Sequence, residues 1–166
     1  ELGTIATRLK STYGQGRGTL AGEPKPGVEL EALMGTERDP ERLKEMWRSW
    51  HAVGAPMRQD YARLVEIANE GARELGFSDL GAMWRSNYDM EPGEFALLTD
   101  ALWGEVKPLY DQLHCYTRRK LNAKYGDAVQ PATGPIRADL LGNMWAQQWD
   151  AIYDIAAPAG TGDIGY

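Results

Sequence analysis

The sequence predicts an all-α protein, and three observations carry that reading. Apolar residues recur three and four positions apart through most of the 166 residues, the period of an amphipathic helix. Alternation of apolar and polar residues never lasts long enough to build a sheet. Helix start and stop signals, such as Asp39-Pro40-Glu41 and Gly126, bracket the periodic stretches.

Ile5, Leu9 and Tyr13 define a short first helix. Residues 14–27 hold five glycines and two prolines and read as a loop. A short helix over 30–34 follows. Asp39 caps the next helix, with Pro40 in its first position and Glu41 in its first turn; its stripe is Leu43, Met46, Trp47 and Trp50. Gly54 and Pro56 break it. A further helix carries Tyr61, Leu64, Val65, Ala68 and Ala72 and stops near Gly76. Ser78 and Asp79 cap a short helix with Leu80, Met83 and Trp84. The longest helix spans 92–125, with Pro108 as a kink inside it and Gly126 at its end. Residues 127–136 form a loop with two prolines. Asp139 then caps a last helix running to about Ala157, stopped by Pro158 and followed by a glycine-rich ending.

Composition narrows the function. The net charge is −6, from 24 acids against 18 bases, which argues against a nucleic-acid partner, whose phosphates call for a basic face. No apolar run approaches the roughly 20 residues that span a bilayer, so the chain holds no membrane segment. A single cysteine, Cys115, leaves the redox compartment unread. No signal peptide is visible, but the chain begins at Glu1 rather than at methionine, so that observation says little about location.

Chemical motifs are sparse. The two histidines are His51 and His114, and there is no His-Glu-x-x-His. The best local donor set is Asp111, His114 and Cys115 on one side of a helix. Zinc needs three or four converging ligands, and the plain reading is a packed histidine beside a small buried thiol. No Gly-x-Ser-x-Gly elbow is present. Carboxylate pairs such as Glu66/Glu70 read as a solvated helix face. Gly14-x-Gly16-x-Gly18 lacks the Gly-Lys-Ser/Thr ending of a phosphate loop. The densest feature is 141–149, Leu-Gly-Asn-Met-Trp-Ala-Gln-Gln-Trp. On a helix it makes one stripe of Leu141, Trp145, Trp149, Ile152 and Ala156, and a second of Leu140, Met144, Gln147 and Ala151. Gln147 falls at the border of the second stripe, either as a half-buried polar residue or as a donor facing a pocket.

Several blocks in matching order resemble the angiotensin-converting-enzyme family of zinc peptidyl-dipeptidases. They are Trp84-Arg-Ser-Asn-Tyr88, Pro108-Leu-Tyr-Asp-Gln-Leu-His114-Cys-Tyr-Thr-Arg-Arg119 and, longest, Gly134 through Trp149, continued by Tyr153-Asp154 and Pro158. The glycine-rich ending resembles bacterial members. The resemblance implies a long helical ellipsoid with a deep central cleft. It also implies that 1–166 is a single partial domain, without the zinc-binding part. Zinc ligands and catalytic residues would then come from outside this chain, whose partners would be the rest of the same catalytic domain and a peptide substrate. By the same resemblance Gln147 contacts the substrate's terminal carboxylate and Trp145 lines the neighbouring pocket. An arginine in the place of Gln147 marks the monocarboxypeptidase branch, so glutamine favours release of dipeptides. Tyr88 matches a residue at one of two chloride sites. At the other, His51 stands where the family has arginine, which argues against chloride as a cofactor there. Cys115 replaces a family alanine, and the family disulfide near the glycine-rich loop is missing. The implied setting is secreted or periplasmic. The competing reading is a non-catalytic helical binding or structural module.

Overall fold

The computed structural model describes residues 1–158 and Gly160. The glycine-rich ending read from 159 onward therefore lies, Gly160 apart, outside the described residues. The chain divides into two units, one made of Glu1–Gln15 with Val53–Leu109 and one of Gly16–Ala52 with the stretch from Tyr110 onward.

In the first unit, α1 (Leu2–Gln15) pairs with α4 (Arg58–Glu74). Ile5 and Leu9, one turn apart on α1, are buried, as is Ala72 of α4. Arg8 forks onto the Asp60 carboxylate and Arg63 reaches Glu1; such exposed pairs are screened by solvent and add little to stability. Gly54 and Pro56 do interrupt the helix, as a 3-10 turn at Ala55–Met57. Asp79 caps α5 (Leu80–Arg85) by accepting the Ala82 N–H at 2.8 Å. The unit also holds the front of α6 (Pro92–Tyr125), a helix of 34 residues that contains Pro108. On that front part Leu97, Leu98, Leu102, Trp103, Val106 and Leu109 are all exposed.

The second unit carries most of the core. Leu20, Leu30, Met34, Leu43, Met46, Trp50, Leu121, Leu140, Leu141, Met144 and Ile152 are buried there. Its central helix is α3 (Pro40–Ala52). Asp39 accepts the N–H groups of Glu41 and Arg42 at 2.9 and 3.0 Å, the cap that the sequence predicts. α2 (Gly27–Thr36) buries Leu30 and Met34. The back of α6 buries Thr117 and Leu121, and Gly126 ends the helix at φ +76°.

Two readings need correction. Residues 14–27 are not simply a loop: Arg17–Leu20 (β1) and Glu23–Pro26 (β2) pair as an antiparallel hairpin. The turn residues Ala21 and Gly22 both have positive φ, +54° and +77°, as a two-residue turn that matches strand twist demands. The register pairs Leu20 with Glu23 and Thr19 with Pro24. Hydrogen-bonded and non-bonded pairs alternate away from the turn, so Pro24 and Pro26 fall where a missing N–H costs no ladder bond. Gly18 lets β1 approach α3 closely, since a Cβ there would meet Ser49 Oγ at 2.8 Å. The Thr19 N–H donates to that hydroxyl at 2.7 Å.

The second correction concerns 139–157, which is not one helix. A 3-10 turn at Ala138–Leu141 stops at Gly142, whose φ is +74°. An irregular strap follows, with Ala146 also left-handed at φ +57°. The chain then re-enters a 3-10 turn at Asp150–Ile152 and a single α-turn, α7 (Tyr153–Ala156). Asp139 does not cap; it is buried and accepts two bonds from the Arg137 guanidinium. The two helical stripes therefore do not exist as such. Leu140 and Leu141 are buried where their 3-10 turn packs on α3, and Ile152 where its own packs on α2; Met144 is buried too, while Trp145 stays 48% exposed.

Candidate functional site

The strap from Gly142 to Trp149 holds two of the three site residues that the sequence singles out. Its shape follows from local chemistry. Gly142 takes the left-handed turn, and a Cβ there would meet the Ala151 Cβ at 2.8 Å. The side-chain carbonyl of buried Asn143 accepts the Trp145 N–H at 2.8 Å, closing an Asx turn. The Ala146 N–H donates to the Asn143 carbonyl at 3.2 Å. The Trp149 indole N–H returns to the Ala146 carbonyl at 3.0 Å.

Arg38 secures the far end of the strap. Its guanidinium donates to the Ala151 carbonyl at 2.8 Å and to both oxygens of Asp154, at 3.2 and 3.0 Å. It also donates to the carbonyls of Gly35 and Glu37. Arg38 holds the Asp154 carboxyl below its ordinary range, partly opposed by burial.

Aromatic contacts seat both tryptophans. The Trp145 ring meets the His51 imidazole edge-on, with centroids 5.4 Å apart and planes at 68°. His51 in turn stacks on Trp47 at 3.9 Å. The Trp149 ring lies 6.1 Å from Tyr110 and 6.3 Å from His114, neighbours on α6. Each histidine of the chain thus touches one tryptophan of the strap. Gln147 lies between the two tryptophans in sequence and is exposed, so its amide is open to an incoming group. The two donors of a glutamine amide can hold a carboxylate without bringing a charge of their own.

Tyr88, the third residue singled out, belongs to the first unit. It is half exposed and packs edge-on against Phe95 at 5.1 Å. Asp111, His114 and Cys115 do not make a metal centre. His114 is engaged with aromatic rings, and the half-buried Cys115 sulfur faces an Arg118 nitrogen at 3.6 Å. Among the described residues, no group of three or more His, Cys, Asp or Glu side chains could hold a metal ion. Those described residues thus do not fit zinc. The contribution of Trp47 and His51 is missed by reading the sequence alone. Their one-turn spacing puts them together, but nothing local says that Trp145 reaches them.

Comparison with known proteins adds the lineage. The profile of the family described as angiotensin-converting enzyme matches residues 1–164. The angiotensin-converting enzyme of Mesocricetus auratus is 44% identical over 131 residues, which is 78% of this chain and 10% of that protein. The enzyme of Haematobia irritans exigua is 41% identical over the same share of the chain and 21% of its own length. The angiotensin-converting enzyme-like protein Ace3 of Mus musculus is 37% identical over 161 residues, 95% of this chain and 22% of that protein. The chain therefore spans between a tenth and just over a fifth of these relatives. In sequence along its whole described length, and in its mostly helical architecture, it belongs to the angiotensin-converting-enzyme family of peptidases.

Proposed function

We propose that this chain is part of a zinc-dependent peptidyl-dipeptidase and that it furnishes the wall that captures the C-terminal carboxylate of a peptide substrate. The observation that carries the reading is Gln147, exposed on a strap that Asn143 and Trp149 hold in shape through their hydrogen bonds to its backbone. Beside it the half-exposed Trp145 offers an apolar surface to a substrate side chain. The amide would donate to the carboxylate while the indole excludes water from that contact, which strengthens a charge-assisted bond. Zinc, which in such an enzyme activates the attacking water, would be held by residues outside this chain, as would the lid of the cleft. Chloride would depend on those residues too, because Tyr88 alone makes no anion site.

The test is Gln147→Ala in the intact enzyme. A neutral donor to a carboxylate contributes about 1.5–3 kcal/mol, so kcat/KM for dipeptide release should fall between about tenfold and about a hundredfold. C-terminally amidated peptides, which carry no such charge, should lose far less. Equal losses on both peptide types would remove the glutamine from the carboxylate site.

A further inference from the structure

We propose that His51 is a positioning residue for the substrate strap: wedged between Trp47 and Trp145, its imidazole sets the plane of Trp145 and through it the reach of Gln147. The inference rests on the reading of Gln147 above and adds the group that holds the site in shape. His51 follows Trp47 by one turn of α3, with ring planes only 26° apart. Its Nδ1 lies 2.8 Å from the Trp47 carbonyl oxygen. That oxygen can only accept, so Nδ1 carries the hydrogen and the tautomer is set by the helix itself. A stacked face and a backbone hydrogen bond together fix the ring's tilt.

The segment that carries Trp145 holds its backbone N–H, through Asn143, and not its ring. Trp145 sits on irregular backbone and is half exposed, a setting in which an indole samples several rotamers. The imidazole edge at 5.4 Å and 68° is an arrangement that aromatic rings favour, and it biases the indole toward one rotamer. Coupling onward to Gln147 is short, because only Ala146 intervenes. At φ +57° Ala146 occupies the small left-handed region, which leaves a residue with a Cβ little room to absorb rotation. A shift of the Trp145 backbone, to which the seated ring is tied, is therefore passed on to Gln147.

The experiment measures KM and kcat in the intact enzyme, with a peptide bearing a free C-terminal carboxylate, for His51→Ala, His51→Phe, Trp145→Ala, the double variant His51→Ala/Trp145→Ala, and Gln147→Ala. His51→Ala should raise KM about fivefold, the size of a contact-pair coupling, with kcat and Tm unchanged. His51→Phe, which keeps a ring in the stack, should restore most of the affinity. In the Trp145→Ala background, His51→Ala should add nothing. Unchanged KM in His51→Ala, effects that multiply in the double variant, or a joint fall of kcat and Tm would each overturn the proposal. Failure of the underlying reading shows separately: Gln147→Ala would leave KM unaltered, while the His51–Trp145 cycle would still report its own coupling.

Discussion

Glu45 shows how a single side chain decides a local shape. Its two carboxylate oxygens accept the N–H groups of Ala21 and Gly22, each at 3.0 Å, and so pin the hairpin turn to α3. The Gly22 and Ala21 bonds, with help from Thr19, hold its carboxyl below the ordinary glutamate range. A carboxyl lowered in the folded protein stabilises above its unfolded value, and that gain is lost as pH falls through the folded value. Amide-exchange protection at Ala21 and Gly22 should therefore be level from about pH 7 to about pH 5 and decline only below the usual glutamate value near pH 4. In Glu45→Ala it should be weak throughout. A wild-type profile that is flat down to about pH 2 would show that the carboxylate does not hold the turn.

Among the elements, those with a local cause were legible. The α3 start is written in Asp39-Pro40-Glu41, and the α6 end in Gly126. Pro108 lies within α6 without ending it, as the apolar spacing on both sides foretells. The hairpin and the strap were not legible, for a shared reason. Each turns on an alanine in the left-handed region, Ala21 and Ala146, where glycine or asparagine is the usual signal. Each is also held from far along the chain, by Glu45 in one case and by Arg38 and His51 in the other. Periodicity alone therefore gave the 139–157 segment a helix that Gly142 and the distant anchors forbid. The motif singles out Gln147, whereas nothing in the sequence places the two histidines against its neighbouring tryptophans. Gly142→Ala tests the strap directly. It adds left-handed strain and a 2.8 Å clash with Ala151, together about 2–4 kcal/mol. The urea midpoint of the protein should fall accordingly. A midpoint within error of the parent would mean that the turn at 142 has an easy alternative.

Across the molecule, burial is unevenly shared. Most of the buried apolar residues lie in the second unit, whereas those of the first are Ile5, Leu9 and Ala72. Along the front of α6, Leu97 and Leu109 are 72% and 75% exposed, amid four other large apolar side chains. Exposed surface of that kind ordinarily meets a partner. On the proposed reading the partner is the rest of the catalytic domain. The isolated 166 residues should then self-associate in sedimentation and release no dipeptide in a chelator-sensitive manner. A monodisperse monomer with one cooperative melt would favour a self-sufficient helical module instead.

The backbone at Ala146 carries one more consequence. Glycine would enter that conformation at lower cost, but it would also open many other routes for the segment. A methyl group there closes most of them. On the proposed reading, a substrate would then meet a loop whose ordering cost was met when the protein folded, and tight capture would ask less of the peptide itself.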